Sequence, residues 1–368
     1  MILRYKRIVF AIIILIFSCL TVSTNLTASE PEKTEHQKEA SEAKAFNPGD
    51  FIFDHIKDAY EWHVITWKGH HVSIPLPVIV YSKQSGWNVF SASRFHHGHE
   101  SYKGFSVAHE GKYKGKVVED IGNGEVVRPI DISLTKNVLS LLIGVTIMLW
   151  LFLSIAKSYK QNPNKAPKGV QAFVEPLILF VRDDIAKPAI GEHAYEKYLP
   201  FLLTIFFFIW INNMLGLIPI FPGGANLTGN ISITLVLAIL TFIITTVSGT
   251  KDYWLHIINM PGVPWWLKFP VPLMPIIEIM QVFLKPFVLM IRLFANITAG
   301  HLIILGFISL IFIFGAMSPV GGYGISILSI GFSIFMMFIE LLVAFIQAYV
   351  FTLLSAMYFG MALEKAHH

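Results

Sequence analysis

Long apolar runs separated by short polar punctuation dominate the last two thirds of the chain. Runs of roughly 18 or more apolar residues mark helices able to cross hydrocarbon, and three lie at about 137–156, 199–219 and 231–248. Two further elements, 275–314 and 325–362, are each near 40 residues. At about 1.5 Å per residue such helices reach roughly 60 Å, twice the roughly 30 Å of a hydrocarbon core. Ordinary mismatch adjustment does not cover that excess. The pattern predicts an antiparallel hairpin of two strongly tilted helices, turned at 315–324, GAMSPVGGYG. A break at Pro286 into a span plus a surface helix is the other arrangement that length allows. The stretch 169–186, GVQAFVEPLILFVRDDIA, is too short to span and predicts an interfacial or cytoplasmic helix.

The first part of the chain has a different texture. Arg4, Lys6 and Arg7 precede an apolar run over 8–22 and small polar residues near Ala28, the layout of a secretion signal over 1–28. Cys19 makes only a weak lipoprotein-type site, and an uncleaved anchor would export the next region equally. Residues 29–135 form that exported region. It opens on a charged stretch without apolar period. Residues 51–64 predict a short amphipathic helix; 71–82 and 87–95 predict strands with turn residues between them.

Composition fits this division. Apolar residues make up 54% and charged residues 14%, so the chain is an all-α polytopic membrane protein with about five membrane helices and a small exported N-terminal region. The membrane part is 136–368. Lys157, Lys160, Lys165 and Lys168 put the first loop on the cytoplasmic side, the uncharged 220–230 loop outside, and Lys251, His256 and Lys268 inside again. The N-terminal region then lies outside and the C-terminus in the cytoplasm. A net charge of +4 gives no case for nucleic acid. Cys19 is the single cysteine, which excludes a disulfide framework or a zinc–thiolate site. Nine of the fourteen histidines fall in the exported region, including His96, His97 and His99, without the paired spacing of a defined metal site. They read as solvated surface.

Candidate chemistry concentrates in the long hairpin. Arg292 lies deep in an apolar run, and a guanidinium does not shed its proton to escape burial. Placing it at membrane depth costs roughly 2.5–3.5 kcal/mol on insertion scales, which marks function. Glu278, Lys285 and Arg292 recur at intervals of seven and share a helix face, with Asn296 one turn on. Such a stripe must face a water-filled crevice or another protein. On the second arm Glu340 and Gln347 repeat the spacing. If Arg292 is opposite Gln347, His301 and Glu340 reach similar depth on one side of it and Glu278 lies on the other. Two polar half-paths with a fixed cation between them result.

These residues carry a resemblance. The segment LKPFVLMIRLFANITAGH (284–301), Glu278 ahead of it, Glu340, QAYVFTLLSAMY (347–358), and FIWINNMLGLIPIFPGGANLTGN (208–230) together closely resemble subunit a of F-type ATP synthases, from about residue 130 to the end. The resemblance implies a proton-translocating membrane stator beside a rotating c-ring, with peripheral-stalk b subunits and a catalytic head as partners in the lipid bilayer. It implies that Arg292 faces the ring's carboxylates, with Gln347 and Asn296 near it. Glu278 would belong to the cytoplasmic half-channel, and His301 with Glu340 to the outer one. Some members carry these two residue types in the opposite order, and Gly216 stands where some carry an acid. The chain has no GxxxxGK[ST] loop, so no nucleotide site, cofactor or metal is expected and catalysis belongs to partner subunits. A secondary transporter would show inverted repeats with interrupted helices, and none is found. A metal-handling membrane protein would draw on the exported histidines.

Overall fold

The computed structural model describes residue 49 and residues 57–364, apart from 68–69, 97, 99, 110, 122–125, 162–165, 219–222 and 259–272. The predicted leader and residues 51–56 of the predicted 51–64 helix lie outside the described residues. A β-region comes first. Strand β1 (Glu61–Trp67) pairs antiparallel with β2 (His70–Pro75). The end of the predicted helix is therefore a strand: EWHVITW is rich in aromatic and β-branched residues, which favour the pleated conformation. The predicted 71–82 strand is divided at Leu76 into β2 and β3 (Pro77–Ser82). The second expected strand ends early, as β4 (Gly86–Ser91) followed by a 3-10 turn, Ala92–Phe95. A separate three-stranded sheet joins β5 (Phe105–Val107), β6 (Val117–Asp120) and β7 (Val126–Val127); β8 (Ile130–Asp131) pairs back onto β3, which also pairs with β4. Val78, Val80, Phe95, Phe105 and Val117 form the buried centre between them. The buried Tyr60 hydroxyl donates a short hydrogen bond to Asp131, and so ties the start of the region to its last strand.

Eight α-helices follow among the described residues, five of them long and apolar enough to cross a membrane. These are α1 (Lys136–Gln161), α3 (Tyr195–Leu217), α4 (Ile231–Ser248), α6 (Leu273–Met317) and α7 (Pro319–Leu363). The expected non-spanning helix is α2 (Val170–Phe180), which runs through a π-helical turn, Val181–Ala186, into the short helix Lys187–Ile190. In that turn Asp183 bridges Arg182 (2.7 Å) and Lys187 (2.6 Å), and both cations hold its carboxyl well below the usual carboxylate range. The remaining helix, α5 (Lys251–Ile258), lies between the third span and the hairpin.

Helix α3 is apolar all round because it is central: Phe206, Phe207 and Phe208 are almost wholly buried among residues of α1, α4, α6 and α7. Lipid offers no hydrophobic drive for helix association, so close packing carries it, through small residues. Gly360 of α7 lies against the backbone of Ala189 so tightly that a side chain there would collide. Gly144 of α1 gives room to Asn212 of α3 in the same way.

The hairpin arms are each 45 residues long and unbroken, Pro286 included. The turn is much shorter than the glycine-rich sequence predicts. Ser318 accepts from the Gly321 amide as N-cap, and Pro319 starts α7 at a position where its missing N–H costs nothing. Gly321, Gly322 and Gly324 thus belong to the helix, and Gly322 packs directly on the Gly315 backbone.

Candidate functional site

Three contacts fix how the hairpin arms face one another. Nearest the turn, the Phe307 and Phe332 rings stack with centroids 5.4 Å apart. Gly300 lies against the Glu340 carboxylate, and farthest from the turn the Lys285 ammonium sits 5.7 Å from the Tyr358 ring centroid. Between these contacts Arg292 falls level with about residue 350, within roughly one helical turn of Gln347. Their side chains part there: Arg292 and Asn296 are exposed, whereas Gln347 is buried in the bundle. Among the described residues no hydrogen bond or ion pair is made by the Arg292 guanidinium.

His301 is turned the other way, since nine residues rotate a helix by about 180°. It meets α3 at Gly216, where an added Cβ would sit 3.8 Å from His301 Nε2. Glu340 approaches the same level from α7, only 7% exposed, with one carboxylate oxygen against Gly300 and the other, Oε2, without a hydrogen-bond partner. His301 and Glu340 are thus brought to one depth, as the register argument expects. The structure adds α3 and the segment after it. Asn213 Nδ2 donates to the Ala344 carbonyl (3.3 Å), one turn from Glu340, and Asn213 Oδ1 accepts from the Thr228 hydroxyl (2.5 Å). Asn212 Oδ1 and Asn226 Nδ2 on these elements, and Ser140 Oγ on α1, are further buried polar atoms without hydrogen-bond partners among the described residues. Sequence reasoning passed over this amide-rich group. The signal was present, since Asn212 and Asn213 are adjacent amides inside an otherwise apolar helix.

On the far side of Arg292 lies a second polar group. Lys285 and Tyr358 line a small cleft of about 10 Å³ with Thr241, Thr245, Thr246 and Tyr253. That is close to the room one water needs. Thr241 and Ser355 hydroxyls meet at 3.3 Å at its edge. Glu278, partly buried, acts electrostatically on Tyr253 of α5; burial first, and that negative charge second, push the Tyr253 phenol up. Along α6 the two groups flank Arg292 at roughly 10 Å and 13 Å of helix rise. Of the predicted residues, Glu278 and Lys285 therefore belong to one group and His301 and Glu340 to the other; Arg292 and Asn296 stand between them on an outward face. In the β-region His96 pairs only loosely with Glu100 (3.6 Å) at an exposed position, while His97 and His99 lie outside the described residues.

Comparison with known proteins identifies the family. The family model described as "ATP synthase A chain" matches residues 138–360, and a family described as "Domain of unknown function" matches residues 51–132. An ATP synthase subunit a from Chloroherpeton thalassium is 42% identical over 245 residues, covering 65% of this chain and 69% of its own length. The ATP synthase subunit a 2 of Chlorobaculum tepidum is 45% identical, covering 64% and 65% respectively. The ATP synthase subunit a of Chlorobium phaeobacteroides is 42% identical, covering 67% and 71%. With a family match across more than half its length, this chain belongs to the ATP synthase A chain family, the subunit a family of F-type ATP synthases.

Proposed function

We propose that the chain is the proton-translocating stator subunit of a bacterial F-type ATP synthase, and that it offers two offset half-channels to the c-ring with Arg292 as the barrier between them. The observation that carries this reading is the exposed Arg292, unpaired among the described residues, set between two partly buried polar groups on one continuous helix. An exposed guanidinium in an apolar surface needs an anionic partner. A rotor carboxylate supplies one. Pairing with a permanent cation lowers that carboxylate's proton affinity and releases its proton on arrival. The same charge prevents protons from crossing directly between the two paths. His301 and Glu340 would relay protons on the exported side, through water held by the unpartnered atoms of Glu340, Asn212, Asn226 and Ser140. Glu278 and the Lys285–Tyr358 cleft would serve the cytoplasmic side, with Asn296 and Gln347 beside the arginine. The N-terminal β-region then lies outside, the C-terminus lies in the cytoplasm, and ATP chemistry resides in partner subunits. Arms of 45 residues fit a bilayer only when strongly inclined, and their exposed apolar faces suit a curved rotor surface.

Side-selective labelling tests the two paths. In assembled complexes whose endogenous thiol has been removed, Gly216→Cys should react with a membrane-impermeant thiol reagent applied from the exported side only. Thr245→Cys should react from the cytoplasmic side only. Reaction of both positions from the same side contradicts the half-channel assignment.

A further inference from the structure

We propose that Asp58 of the β-region is the counter-charge to Lys136 at the outer mouth of the His301–Glu340 site, and so a positioning residue for proton entry. The inference rests on the half-channel reading above and extends it to a part of the chain that lies outside the subunit a family match.

The geometry starts at the head of α1. Its Asn137 amide donates to Asp58 Oδ1 (3.0 Å), and the Lys136 amide donates to the Ala59 carbonyl (2.9 Å). First-turn N–H groups of a helix have no intrahelical acceptor. Here a residue 79 positions earlier in sequence supplies one. The β-region is therefore fastened to the first span at Lys136 itself. From Lys136 a ridge runs down α1 through Ser140 to Gly144 at intervals of four, on one helix face. Gly144 packs on Asn212, and one turn outward from Asn212 on α3 lies Gly216, which faces His301. Ser140, midway along the ridge, is buried with an unpartnered hydroxyl.

The charges along this line are few. Asp58 faces Lys116 and Lys136, with the Thr135 hydroxyl and the Tyr60 phenol, itself bound to Asp131, beside it. Lys136 of α1 acts electrostatically on His301, and Glu340 of α7 reaches the same level against Gly300, while α3 contributes uncharged Gly216 and Arg292 points away on its own helix. Burial pushes the Asp58 carboxyl above its ordinary range, against the Asn137 amide and the two lysines. Ionised, Asp58 offsets the positive charge of Lys136. Neutral, it leaves that charge acting on protons approaching His301 and Glu340.

The test uses the complete ATP synthase complex in proteoliposomes, with ATP synthesis followed against pH on the exported side. Asp58→Asn keeps a good capping side chain while removing the charge. It should move the alkaline midpoint of the profile down by roughly half a pH unit to one unit, the size of a single charge acting over about 10 Å at intermediate dielectric. Rates at the acid end should match wild type, because position 58 is uncharged in both proteins there. Lys136→Gln in the Asp58→Asn background should restore the midpoint, and Lys136→Gln alone should move it upward. Superimposable wild-type and Asp58→Asn profiles overturn the proposal. Should Asp58→Asn fail to assemble, an unmoved profile for Lys136→Gln alone overturns it equally. His301→Ala in the same vesicles separates the two levels of inference. Full activity in that variant removes the half-channel reading itself, whereas loss of activity there with an unmoved Asp58→Asn profile removes only the role of Asp58.

Discussion

Glu340 holds its carboxylate in space that only a glycine at position 300 leaves open. Gly300→Val should therefore displace the carboxylate and reduce ATP-driven proton pumping at least severalfold. Gly306→Ala, where an added Cβ meets nothing within 4 Å, should leave pumping near wild type. Pumping by reconstituted complexes, with assembly checked by copurification, decides between them. Asp58 gives a prediction in pH. Its folded-state pKa is raised, so the unfolded chain releases the proton first, and docking of the β-region loses stability as pH rises through the interval between the two values. Below the unfolded value the contribution is fully present. Amide exchange of the first turn of α1 should accordingly be slower at about pH 5 than at about pH 8 after correction for intrinsic rates, and Asp58→Asn should flatten the difference. At this scale Arg292, Glu278, His301 and Glu340 were legible in the sequence, because an ionisable group inside an apolar run is anomalous. Ser140 and Thr228 were not, because lone uncharged polar residues are ordinary in and beside spanning helices and only the fold aligns them.

The five spans were read correctly, and their ends less so. The third span matches its expected limits at Ile231–Ser248, because Asn230 caps its start and Gly249 follows its end. At the hairpin turn the glycines misled. Local preference favours a loop there, but Ser318 and Pro319 start a helix that the packing of Gly322 on Gly315 sustains. The strand at Glu61–Trp67 was missed for the opposite reason, since its pattern was absorbed into a helical period begun at residue 51. Its partner His70–Pro75, two residues away, is what makes it a hairpin. The register of the long arms is directly testable. Cysteines at 307 and 332 should crosslink efficiently with a short reagent, and cysteines at 307 and 340 should not. Efficient crosslinking of the second pair would mean that the arms slide by two turns and that Gly300 and Glu340 do not meet.

Taken whole, the molecule is a helical bundle with one long two-helix arm and a β-region fastened to the head of its first span. Apolar lengths were enough to lay out the five spans. They were silent on the fastening, because Asp58 and Asn137 are distant in sequence and neither is unusual alone. The bundle's asymmetry matters most for function: one face of the arm is packed into the bundle, while the other shows Arg292 in an apolar surface. The most direct test replaces that one charge. In assembled complexes reconstituted into vesicles and driven by ATP, Arg292→Ala should abolish proton pumping. Lysine at that position should restore it only in part, because an ammonium can lose its proton when buried. Pumping at the wild-type rate by an assembled Arg292→Ala complex would contradict the account.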